Sequence, residues 1–135
     1  MTNGRMTDGQ MTIAMPYAAF LGLTFAQDAD GEWLATLPAA ETLGGRPGFV
    51  HGGVLAGILE CVAIHKVQTV AAPREGRLAR PINLNISYLR GATADICYAR
   101  AEIVRLGGRI IVVSVRIWQD DPQKPVVLGQ VSLMR

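Results

Sequence analysis

From residue 82 to residue 88 the chain alternates without a slip. Ile82, Leu84, Ile86 and Tyr88 are apolar, and Asn83, Asn85 and Ser87 between them are polar. A period of two marks a strand with one face turned to a core. A weaker strand pattern runs from Ile96 to Leu106. The alternation returns from Arg109 to Gln119, where Ile111, Val113, Val115 and Ile117 share a face. Gly107-Gly108 between these two segments is a tight-turn signal. D-D-P-Q-K-P then makes a loop, and Val126 to Met134 is the last strand.

Upstream the period is different. From Gly53 to about Val70 there is no proline, and Val54, Leu55, Ile58, Leu59, Val62, Ile64 and Val67 fall on more than one helical face. A helix apolar nearly all round is a buried helix. Ala71-Ala72-Pro73 ends it, and Arg74 to Arg77, with Gly76, is a loop. Earlier still, Pro16 to Leu21 is a short helix. Leu23 to Gln27 and Glu32 to Leu37 flank the turn signal D-A-D-G and form a hairpin. Residues 38 to 50 hold Pro38, Gly44, Gly45, Pro47 and Gly48, and so form a loop.

The order is a hairpin, one long helix, then strands joined by short turns. Parallel neighbours would need long crossovers, so the sheet is antiparallel, and one long helix against it makes an α+β domain. Residues 1–14 are expected to be a flexible polar tail. Residues 15–135 are expected to be a single domain.

Composition sharpens this outline. Half the residues are hydrophobic and the mean hydropathy is +0.25, which is high for so small a chain. Subunit interfaces are therefore expected to bury part of the apolar surface. No uninterrupted apolar run approaches the ~18 residues of a membrane span, and the first ten residues contain no apolar leader core. The expectation is a soluble, cytoplasmic protein with no membrane partner. Cys61 and Cys97 fit buried free thiols. No cluster has metal-ligand spacing, so no metal is expected. A net charge of +2 is too small for a nucleic-acid surface. The basic residues are skewed, with eleven Arg against two Lys. Arg suits bidentate phosphate contacts, so a phosphorylated small ligand fits; GC-rich codon usage would produce the same skew.

The stretch G-F-V-H-G-G-V-L-A-G-I-L-E, residues 48 to 60, holds the candidate chemistry. A helix N-terminus has unpaired N–H groups and partial positive charge. Glycines there leave donors open to a carbonyl oxygen that becomes negative during reaction; equally, Gly52 and Gly53 ease the turn into the helix. Glu60 shares its face with Ala56, Gly57, Ala63 and Ile64, none of which pairs with a carboxylate. Such a setting raises a carboxyl pKa and marks a functional candidate. The alternative is a buried ion pair with an Arg of the sheet. His51 serves as a base or, preferably, as a group that shapes the loop. His65, one step past the face of Glu60, is expected at the surface or an interface. Eight residues separate Gly52 from Glu60, about 12 Å along a helix, too far for both to touch one carbonyl. If both act on one substrate they come from different subunits, in a two-fold dimer with antiparallel helices and two composite sites.

The run H-G-G-V-L-A-G-I-L-E, with I-N-L-N-I-S-Y-L-R-G-A later in the chain, resembles the hotdog-fold acyl-CoA thioesterases of the phenylacetic-acid-degradation type. The similarity spans roughly residues 15 to 134. It implies a hotdog fold, in which an antiparallel sheet wraps one long central helix and subunits form dimers, often paired into tetramers. It implies that Glu60 is the nucleophile or the general base, supplied from the partner subunit, and that Gly52 N–H polarises the thioester carbonyl. Gly53, Tyr88 and Leu89 then fall with the substrate-contacting positions, and Arg90 and Arg109 with the phosphates of coenzyme A. Coenzyme A enters as part of the substrate, and no separate cofactor is implied.

One branch of that family, acting on aromatic acyl-CoA, carries Glu where many relatives carry Asp; an aromatic or medium-chain acyl-CoA is the expected substrate. Two positions depart from the pattern. Gly45 stands where many relatives have Asn or Gln, and Ile64 where the Glu-bearing branch has a hydroxyl side chain. A non-catalytic acyl-CoA-binding protein is therefore the second reading, and a hotdog hydratase or dehydratase the third.

Overall fold

The computed structural model describes the backbone of residues 4–7 and 10–13 and the whole of residues 15–135. Within the segment expected to be an N-terminal tail, β1 (Gly4–Thr7) and β2 (Gln10–Ile13) pair antiparallel. Residues 1–3, 8–9 and 14 lie outside the described residues.

The remaining chain follows the expected order: α1 (Pro16–Leu21), β3 (Thr24–Gln27), β4 (Trp33–Leu37), α2 (Gly52–Val70), β5 (Arg80–Tyr88), β6 (Cys97–Leu106), β7 (Ile110–Trp118) and β8 (Val127–Met134). β3 to β8 form one antiparallel sheet in the order β3-β4-β6-β7-β8-β5. With α2 packed on one face, this is the hotdog arrangement in a single chain.

The alternation in β7 decides which face is covered. Ile111, Val113, Val115 and Ile117 are all buried and meet Leu55, Ile58, Leu59 and Val62 of α2 in one core. Each such side chain withdrawn from water stabilises the fold by roughly 1.5–3 kcal/mol. Gly129 of β8 permits the close approach. A Cβ there would run into the Leu59 side chain and lie 2.9 Å from the Asn85 carbonyl.

Two expectations need correction. By length and composition α2 does match a membrane-crossing helix, which a search for uninterrupted apolar runs missed; here half of its apolar window is buried within the fold. β5 is an edge strand, bonded only to β8, so its apolar face is incompletely covered. Ile82 is 48% exposed and Tyr88 53% exposed.

His65 is a third correction. It is 5% exposed rather than at the surface. Its ring stacks on Phe25 at 3.9 Å and meets the edge of Trp33 at 4.7 Å. Burial pushes its pKa down to about 4, helped by the charge of Lys66. Cys61 and Cys97 are buried free thiols. Burial raises both to about 11, with the Glu60 carboxylate adding to the effect at Cys61.

Candidate functional site

The site is built around the first turn of α2. Its four leading N–H groups have no partner inside the helix, and the chain assigns three of them. The four are those of His51, the N-cap, through Val54: His51 N–H donates to the Leu43 carbonyl at 2.9 Å, Gly53 N–H to His51 Nδ1 at 2.8 Å, and Val54 N–H to the His51 carbonyl at 3.0 Å, which also takes the first regular helical bond, from Leu55 at 3.2 Å. Accepting at Nδ1 leaves the neutral imidazole proton on Nε2. Gly52 N–H is left over, with no acceptor among the described residues. His51 thus shapes the helix start, and Gly53 N–H is spoken for.

The free donor borders a cleft of about 460 Å³ between the loop before α2 and the corner after β5. Gly52, His51, Tyr88, Leu89 and Arg90 all line it. Tyr88 lies over Gly52, where an added Cβ would meet its ring at 3.4 Å, and its hydroxyl donates to the Gly52 carbonyl at 2.9 Å. Leu89 N–H donates to Val126 at 2.8 Å and fixes the corner to β8. The loop before α2 is tied to the segment after β5, with Val50 N–H donating to Ala92 at 2.8 Å and Ala94 N–H to Gly48 at 3.0 Å.

Sequence reasoning passed over two residues here. Phe49 packs where a Cβ on Gly91 would stand 2.7 Å from its ring, and Arg46 lies over that ring at 4.3 Å. Arg46 joins Arg90 in lining the cleft. A cation next to an aromatic three residues away was the available signal.

Gly45 also lines the cleft. Its N–H donates to Phe49, and a Cβ on it would lie 3.0 Å from His51 Cα. A side chain at 45 therefore requires the His51 backbone to shift by a few tenths of an ångström. The missing amide and the tight cap are two sides of one packing choice.

Glu60 lies elsewhere. It is exposed on α2, in a stripe with exposed Gly53 and half-buried Ala56 and Ile64 that the sheet leaves uncovered. The expected buried carboxylate is not found in the single chain, and neither is the alternative ion pair. The one ion pair among the described residues joins Arg100 and Asp28 at 3.2 Å. Gly57, next to that stripe, is covered by Tyr17 of α1.

Arg109 is not brought to the cleft. It follows the β6–β7 turn, and its carbonyl accepts from Arg135 N–H at 2.8 Å. Arg80 pairs with Met134, and Ile110 with the same Met134. Arg109 therefore sits beside the start of β5, while Arg90 lies past its end, about 26 Å away along eight extended residues.

Comparison with known proteins follows the same lines. Residues 47–126 match the model of the thioesterase superfamily. A Halobacterium salinarum protein bearing the name of an esterase is 31% identical over 102 residues, covering 73% of this chain and 67% of that protein. The BH2602 protein of Bacillus halodurans, solved with CoA, superposes with a TM-score of 0.79 at 26% identity, covering 90% of this chain and 78% of that one. A phenylacetic acid degradation-related protein of Ralstonia eutropha superposes with a TM-score of 0.75 at 28% identity, covering 90% and 92%.

Proposed function

The chain belongs to the thioesterase superfamily, and we propose that it hydrolyses an acyl-CoA, aromatic or medium-chain, at sites shared between two copies. One observation carries this reading. Of the first N–H groups of α2, only that of Gly52 has no acceptor among the described residues, and it borders a cleft. A donor aimed at a developing negative charge is the principal requirement for acyl transfer.

The thioester carbonyl oxygen sits on Gly52 N–H, at the positive end of the α2 dipole. The carboxylate comes from Glu60 of a second copy, whose α2 runs antiparallel along the uncovered Gly53–Ala56–Glu60–Ile64 stripe. About 12 Å of helix keeps Glu60 of the same chain away from Gly52. Glu60 either takes a proton from water, whose oxygen attacks the carbonyl carbon, or attacks that carbon itself. Both routes place the developing charge on the same oxygen. Collapse breaks the carbon–sulfur bond and expels the CoA thiolate, which takes up a proton. Where Glu60 is the attacking group, the acyl chain is left as an anhydride on Glu60, and water hydrolyses it to the free acid and restores the carboxylate. Tyr88 and Leu89 flank the arm of the substrate, with Arg46 and Arg90 at the cleft. The solved relative that holds CoA supports CoA as the carrier.

Gly45 and Ile64 favour one competing reading, binding without turnover, because neither supplies a polar helper near the carboxylate. Thiol release from aromatic and aliphatic acyl-CoAs separates the two. Glu60→Ala is expected to lower kcat by about 10²–10⁴, the usual worth of a positioned base. Binding without thiol release, or release untouched by the substitution, overturns the mechanism. A fully active monomer overturns the shared site.

A further inference from the structure

The end of the fold remote from the Gly52 cleft holds a second cleft, of about 450 Å³, lined by Arg74, Arg77, Arg80 and Arg135 together with Glu75, Leu78 and Met134. We propose that it binds a ligand carrying two or more phosphate charges. Four guanidinium groups converge on this one cleft, and the backbone around it is held in place.

The loop that carries Arg74 and Arg77, and leads into Arg80 at the start of β5, is held at both ends. Gln68 is a buried polar side chain whose amide donates to the Ala71 carbonyl at 2.8 Å and whose oxygen accepts from Ala79 N–H. Between these anchors the chain reverses in a two-residue turn. Arg77 N–H donates to the Arg74 carbonyl at 2.8 Å, and the two turn residues, Glu75 and Gly76, have φ of 52° and 72°. Two positive φ values in succession make the hairpin turn that favours Asn and Gly. Glu75 is the one non-glycine residue among those described with positive φ, a conformation that strains a side chain.

That turn sets Arg74 and Arg77 directly across from each other. Like charges in such a pair repel. Glu75 lines the same cleft but forms no ion pair with either, the one ion pair among the described residues being Arg100–Asp28. Arg74 is further fixed by donating to the Gly108 carbonyl at 3.0 Å, and Arg80 by donating to Met134 Sδ at 3.4 Å. Each of these bonds uses one Nη and leaves other guanidinium N–H groups for a ligand. Strain, and repulsion among four arginines against the single carboxylate of Glu75, are explained by an anion that the forks of several arginines hold together.

Two sources of phosphate fit. One is the nucleotide end of the CoA substrate: Glu60 is about 15 Å from the helix end that carries this loop, at 1.5 Å per residue. This source rests on the thioesterase reading above. The other is a separate phosphorylated ligand.

Calorimetric titration with pyrophosphate and with adenosine 3′,5′-bisphosphate tests the site without any turnover. Arg77→Ala with Arg80→Ala is expected to weaken both by on the order of tenfold per arginine removed, while Lys124→Ala leaves them unchanged. Arg77→Lys, which keeps the charge and loses the fork, is expected to fall between. Thermal midpoints show that each variant folds. Unchanged affinity in the double variant overturns the proposal, as does equal weakening by Lys124→Ala. Kinetics then assign the source. If the phosphates are those of the substrate, the double variant raises KM for a CoA thioester and leaves KM for the matching pantetheine thioester alone. If KM is unaffected while pyrophosphate binding is lost, the ligand is separate. A chain that turns over no thioester still answers the calorimetric test, so failure of the thioesterase reading stays distinguishable.

Discussion

The two ends of α2 are built by different means. At its start the working groups belong to the backbone. One free N–H, glycines without Cβ atoms and an imidazole cap define the cleft, and charge enters only through Arg46 and Arg90. At its far end the helix is closed by a buried glutamine, and beyond it lie four arginine side chains that share their cleft with one carboxylate, Glu75, and form no ion pair among the described residues. A backbone donor is fixed in place and tolerates little change, which suits a reacting atom that must be held within a fraction of an ångström. Guanidinium groups reach and adapt, which suits a charged ligand portion that does no chemistry.

If that contrast is right, the two halves of the helix fail under different insults. The largest effect is expected in the second half, from acid. His65 is neutral in the fold because burial holds its pKa near 4, against 6.5 when unburied. Below 6.5 the unfolded chain takes up a proton that the folded chain refuses. Stability is therefore complete above that pH and declines until the folded group also titrates near 4. The total is about 3 kcal/mol, at 1.36 kcal/mol per pKa unit. Denaturant titrations of the protein and of His65→Leu across this window measure it. Parallel pH profiles for the two would remove His65 from the account.

A smaller effect is expected at the first turn. His51→Ala removes the cap and should cost about 1 kcal/mol of stability. It also releases Gly53 N–H as a second free donor. If the selective freeing of Gly52 matters, kcat falls even where the variant is fully folded; if kcat holds, the cap is only structural. The smallest effect is expected from Tyr88→Phe, which deletes one exposed hydrogen bond to Gly52 and should cost about 0.5 kcal/mol. Thiol release changed by more than a few-fold in that variant would show Tyr88 touching the substrate rather than only the helix.

Much of this architecture was legible beforehand because periodicity reports faces. The alternation of Ile111, Val113, Val115 and Ile117 located β7 and its buried side, and the proline-free apolar run located α2 to within one residue. Periodicity does not report neighbours. His65 lies on a helix apolar nearly all round, so no face could be excluded for it, and its partners Phe25 and Trp33 are about thirty to forty residues away in sequence. Arg90 and Arg109 both follow strand ends and look equivalent in a list of turns. Only the strand order shows that they occupy opposite ends of the sheet. The cap is a subtler case. H-G-G announced a helix start, but which amide remained unpaired depended on the ring nitrogen that His51 turned inward.

Gly129 carries a lesson about descent. The space a side chain would need there is already filled by Leu59, and the Asn85 carbonyl closes the other side. Trimming position 59 opens only one of those two sides, because the carbonyl is backbone and stays whatever side chain stands at 59. A lineage free to vary Leu59 is therefore still not free to vary Gly129.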